Sequence, residues 1–104
     1  MKKVINGKAY DSETAKEIVA WRSGDNKRDF SCCFETLYRT KNGQFFLYGE
    51  GHGNTEWGAD FESGRTRGWG EDIRLLNKEE TLSWMEKRSI NPDCMAEYVA
   101  IEEG

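Results

Sequence analysis

The chain has 104 residues, of which 37% are apolar, 33% charged and 12% aromatic. It is less apolar than the usual ~45–50% and more charged than the usual ~25%. That size suits one domain with a thin core, and no run approaches the ~18 apolar residues of a membrane-spanning helix. The net charge is −4 and uneven: residues 1–52 carry nine basic against seven acidic side chains, residues 53–104 six against twelve. Such a chain lacks the positive footprint of a general nucleic-acid binder and suits a basic protein surface better.

The N-terminal "MKKVINGKAY" has two lysines without the apolar stretch of a signal peptide, so a cytoplasmic location is expected. Within it, two short strands flank Asn6-Gly7, the dipeptide of a tight hairpin turn. Asp11 or Ser12 then caps an expected helix over "SETAKEIVAWRS", where Ala15, Ile18, Val19 and Arg22 fall at helical spacing and Gly24 is the natural stop. "DNKRD" is a charged turn. From Phe30, "FSCCFETLYRTKNGQFFLYGEG" alternates Cys33 and Leu37 with Phe34, Thr36 and Tyr38, turns at Asn42-Gly43 and returns through Phe45 to Tyr48. This predicts an antiparallel pair with both faces at least partly covered.

Seven glycines between Gly49 and Gly70 predict a long loop, with room for one short strand near Trp57 to Phe61. "EDIRLL" reads as a strand. Asn77 with Glu80 three residues on forms a capping box for a helix over "KEETLSWMEKRS", with Leu82, Met85 and Trp84 facing inward. Asn91 and Pro92 start a last helix whose buried face is Met95, Tyr98 and Val99. The expected fold class is α+β: a small antiparallel β-sheet of about five strands with about three helices packed on one face. A single domain covers 1–104, and 101–104 is a frayed tail.

Catalytic chemistry finds little support. His52 is the only histidine, and Glu50, Glu56 and Asp60 around it share one glycine-rich segment, which favours a loop histidine over a base or metal ligand. The glycines at 49, 51 and 53 lack the strand-to-helix context of a phosphate loop, and no G-x-S-x-G is present. Cys32, Cys33 and Cys94 are odd in number and lack C-x-x-C spacing, so they read as reduced structural thiols. The chain is therefore expected not to be an enzyme, and no cofactor or metal is assigned.

Two binding surfaces remain. Glu79, Glu80, Glu86, Asp93, Glu97, Glu102 and Glu103 lie on or beside the last two helices, either as a solvated face or as negative charge offered to a basic partner. "SGRTRGWG" sets Arg65 and Arg67 beside Trp69, a combination able to stack on a base or grip phosphate.

Three stretches, "MKKVINGKAYDSETAKEIVAW", "ETLYRTKNGQFFLYGEG" and "GWGEDIRLLNKEETLSWMEK", together resemble a group of small proteins from phages, plasmids and integrative elements of Firmicutes. Some of these look like type II-A anti-CRISPR proteins, inhibitors of Cas9. The likeness covers most of the chain, while the 49–70 segment departs from the group in length and composition. The resemblance implies an inhibitor that docks on Cas9 or its guide-RNA complex in the bacterial host cell. Glu79, Glu80 and Glu86 would be the acidic contacts, with Trp57 and Trp69 as aromatic ones. The alternative is an RNA- or DNA-contacting regulator working through Arg65, Arg67 and Trp69.

Overall fold

The computed structural model describes residues 1–23, 32–61, 66–99 and 101. Its centre is a four-stranded antiparallel sheet in the order β3-β4-β5-β8, built from Lys16–Ser23, Cys33–Arg39, Phe45–Gly51 and Gly70–Leu76. Hairpins β1–β2 (Lys2–Ile5, Lys8–Asp11) and β6–β7 (Ala59–Phe61, Thr66–Gly68) form two further antiparallel pairs. Helices α1 (Lys78–Lys87) and α2 (Pro92–Tyr98) follow β8. The described chain is a single α+β unit in which no helix is long and apolar enough to cross a membrane.

Both expected turns form: Asn6 and Gly7 take φ of 52° and 80° in a tight turn, while the second is a longer connection from Thr40 to Gln44 in which Gly43 alone takes positive φ, 86°. Register then sorts the side chains by alternation. Leu37 stands opposite Leu47, and both face a core completed by Trp57, Trp84, Met85, Met95 and Val99. Phe46 and Ile73 face the other way and pack with Tyr10 of the β1–β2 hairpin. Helices thus cover one face and the hairpin covers part of the other, because a sheet with apolar residues on both sides must hide both from water.

The α1 terminus matches its sequence signal: the Asn77 side chain accepts from the Glu80 N–H at 2.7 Å, and the Glu80 carboxylate accepts from the Asn77 N–H at 3.0 Å. At α2, Asn91 caps and Pro92 occupies the first turn. Trp84, Met85, Met95 and Val99 are buried, whereas Leu82 and Tyr98 are only partly so.

Three expectations need correction. The segment expected as a helix from Ser12 is strand β3 from Lys16 to Ser23, which leaves two helices among the described residues instead of three. Its pairing with β4 shifts register between Glu17 and Val19, so Ile18 and Val19 both pack on the helix-side core before alternation resumes at Trp21. A bulge of this kind spaces buried residues as a helix would. The first hairpin does not extend the main sheet, which has four strands, because it lies across the sheet's far face. The 49–70 segment is not one long loop: Gly49 and Gly51 belong to β5, the β6–β7 hairpin fills its middle, and Gly70 starts β8. Gly24, the 25–29 turn, Arg65 and residues 102–104 lie outside the described residues.

Candidate functional site

Strand β4 places Cys33, Glu35 and Leu37 on the helix-side face, so alternation delivers a glutamate into the core. Glu35 is 1% exposed. Its Oε2 accepts from Trp57 Nε1 at 2.7 Å, while Oε1 accepts from Trp84 Nε1 at 2.8 Å and from Arg88 Nε at 2.9 Å. Arg88 Nη2 also lies 2.8 Å from Oε1. One carboxylate therefore ties together the sheet, the segment after β5 and the end of α1. No described buried side-chain N or O lacks a partner, as burial of a charge demands.

Two cations flank this carboxylate system from above the rings. Arg88 sits 3.8 Å from the Trp21 ring centroid, and Arg74 sits 4.2 Å from that of Trp57. Arg74 also pairs with Glu56 at 2.9 Å. Burial pushes the Glu56 carboxyl upward, but the hydrogen bond and charge of Arg74, helped by the charge of Arg88, outweigh it and leave the group below its ordinary value. Gly49 lies against the face of Trp57, where a methyl group would collide with the indole. That close approach is what the glycine provides.

Above this core, α1 exposes Glu79, Glu80 and Glu86. An open hollow of about 390 Å³ runs beside it, with Glu56, Glu79 and Glu80 on its rim and Trp84 and Arg88 in its wall. Lys87 and Ser83 complete the lining among the described residues. Of its three carboxylates, Glu56 is paired with Arg74 and Glu80 accepts from the Asn77 N–H, so Glu79 carries the acidic charge that is not tied down, beside the cations Lys87 and Arg88.

The other expected contacts are scattered. Trp57 is 3% exposed and its indole N–H is spent on Glu35, so it is a core residue and no aromatic contact for a partner. Trp69 is half-buried, with the His52 imidazole edge-on at 4.7 Å and Phe34 at 6.0 Å. Arg67 is exposed, but it donates to the Gly58 carbonyl at 2.9 Å and approaches Asp60 at 3.6 Å. Its guanidinium is therefore partly committed to holding the β6–β7 hairpin against the preceding turn. Arg65 lies outside the described residues, which leaves Arg67 and Trp69 as the described members of the Arg65/Arg67/Trp69 grouping.

On the hairpin-side face, Tyr48 donates its single hydroxyl proton between Glu71, at 2.6 Å, and Glu50, at 3.0 Å. Burial and then these two carboxylates push the phenol far above its ordinary range. The thiol of Cys33 is likewise raised, first by burial and then by the nearby Glu35 charge. Cys32 is fully buried beside it and Cys94 is partly exposed. No group of three or more His, Cys, Asp or Glu among the described residues is arranged to hold a metal ion.

Sequence reasoning missed Glu35. The signal was there: a glutamate at the inward-facing position midway between Cys33 and Leu37 in a strand of period two. No family model matches the chain, and neither the curated proteins nor the solved structures yield a match.

Proposed function

We propose that the protein is a binding protein that docks its acidic α1 face on a basic surface of a bacterial immune effector. Cas9, alone or with its guide RNA, is the first partner to test. The observation that carries the proposal is the hollow beside α1, rimmed by Glu56, Glu79 and Glu80. Glu79 and Glu80 stand on a helix held to the sheet through Trp84 and Arg88 on Glu35. A rigid acidic groove is suited to engaging lysine or arginine side chains, and long-range attraction would speed the encounter. The inhibitor's step would be to cover basic protein surface that guide or target nucleic acid needs. The resemblance of the three sequence stretches to anti-CRISPR proteins supplies the choice of partner.

The test is co-elution of purified protein and Cas9 on size-exclusion chromatography, with and without guide RNA, at about 0.15 M salt, where distant surface charges are largely screened. A stable complex is expected. The decisive variant is Glu79→Lys, Glu80→Gln, Glu86→Lys. Glutamine is used at position 80 because the Glu80 side chain completes the capping box, and lysine there would confuse helix loss with interface loss. A folded triple variant that still binds and inhibits would rule out the acidic-face reading. Absence of any complex with either form of Cas9 would move the proposal to another defence enzyme.

A further inference from the structure

A different part of the molecule has the opposite charge. At the end of the sheet carrying the β4–β5 turn, hollows of about 500 and 510 Å³ meet at Thr40. Each has the volume of a small-molecule site. Lys16, Arg39 and Lys41 line the first, and Lys8 lines the second. Asp11, on an adjoining smaller hollow, is the one carboxylate among the described lining residues. It accepts from the Glu13 N–H at 2.9 Å. A protein of net charge −4 thus places three cations around the first hollow and a fourth on the second, which adjoins it at Thr40.

How these cations are held is informative. None takes part in the four ion pairs found among the described residues. Instead, Lys16 lies 5.3 Å from the Tyr98 ring centroid and Arg39 lies 5.4 Å from that of Phe45. A ring orients a cation through its face without a carboxylate consuming the charge. Thr40 adds a hydroxyl whose oxygen accepts from the Gln44 N–H at 3.1 Å, while no described hydrogen bond uses its proton. Cations outside any ion pair among the described residues, with a hydroxyl donor at the same concave site, match the oxygens of a phosphate group.

We infer that this depression binds a phosphate-bearing small molecule of about nucleotide size. The phosphate would sit among Lys16, Arg39, Lys41 and Thr40, and the rest of the molecule would extend toward Tyr10 and Asn42. The site is separate from the acidic α1 face, and the inference does not depend on the proposed partner.

The experiment titrates the full chain with pyrophosphate, adenosine monophosphate and adenosine, following amide shifts by NMR. Saturable binding of the two phosphate compounds, centred on residues 14–16 and 39–44, is expected, with none for adenosine. Arg39→Gln with Lys41→Gln should weaken pyrophosphate binding at least tenfold while leaving the melting temperature near that of the parent. Lys16→Gln with Lys41→Gln is a second variant should the first disturb the turn. Lys78→Gln with Lys87→Gln, on α1, should leave binding unchanged. No saturable binding, or an equal loss in the α1 variant, would overturn the inference. So would a single-stranded oligonucleotide that binds here and is not displaced by pyrophosphate, since that would make the groove a nucleic-acid track.

Discussion

Replacing Glu35 by alanine removes one carboxylate and leaves three donor groups without their acceptor: the indoles of Trp57 and Trp84 and the guanidinium of Arg88. The two indoles are 3% and 7% exposed, so water cannot readily replace the lost acceptor. Hydrogen bonds to a charged group contribute roughly 1.5–3 kcal/mol each, but the losses share one carboxylate and are not additive. Breaking a buried ion pair costs about 3–5 kcal/mol, and that is the expected loss for Glu35→Ala. For a domain of this size, whose total stability is about 5–15 kcal/mol, it is a large fraction. Urea unfolding followed by tryptophan fluorescence measures it, with an unchanged slope as the check that the transition still joins the same two states. Glu35→Gln should cost less, because its carbonyl oxygen still accepts, although its amide turns N–H groups toward a donor. Glu35→Leu combined with Arg88→Met should be less destabilised than the sum of the two single changes, since neither charge is then left buried alone. A loss below about 1 kcal/mol for Glu35→Ala, or strict additivity in the double variant, would refute the view that this carboxylate clamps the sheet to α1.

Gly49→Ala should destabilise by about 1–3 kcal/mol, since the new methyl meets a Trp57 ring that Glu35 prevents from moving aside; chemical denaturation reads this directly. At Asp72, burial pushes the carboxyl up but the Lys3 hydrogen bond at 2.6 Å and the Ile73 N–H outweigh it, so the group titrates below its ordinary value. A depressed folded value means stability that is present above the unfolded value of about 3.9 and lost as pH falls through the folded one. The deficit of Lys3→Met relative to the parent should accordingly be small at neutral pH, under about 1 kcal/mol for so exposed a pair, and should vanish in acid; a deficit that persists unchanged at the acid end would contradict the pairing. Among the three thiols, Cys94 should react first with an aromatic disulfide reagent under native conditions, while Cys32 and Cys33 wait for unfolding; three equal rates would be inconsistent with their burial.

What the sequence by itself determined is local. Asn6-Gly7 and Gly43 specify their turns because few residues other than glycine and asparagine accept positive φ. Asn77 with Glu80, and Asn91 with Pro92, mark helix starts because the capping partners lie within a few residues of each other. Alternation from Cys33 to Tyr48 announced paired strands with two covered faces for the same reason: the period is a property of the chain itself.

Everything that depended on a partner remote in sequence was decided by tertiary structure. Segment 16–23 has partly buried residues that pack on the core at 18, 19 and 21, a spacing compatible with a helix or with a bulged strand, and the open edge of β4 selects the strand. The glycines from 49 to 70 look like a loop until Trp57 folds back onto Gly49 and β8 pairs with β5. Trp57 itself resembles a surface contact until its indole finds Glu35, 22 positions away. A buried carboxylate has no local signature, because its burial is tolerable only once Trp57, Trp84 and Arg88 arrive from three different places in the chain.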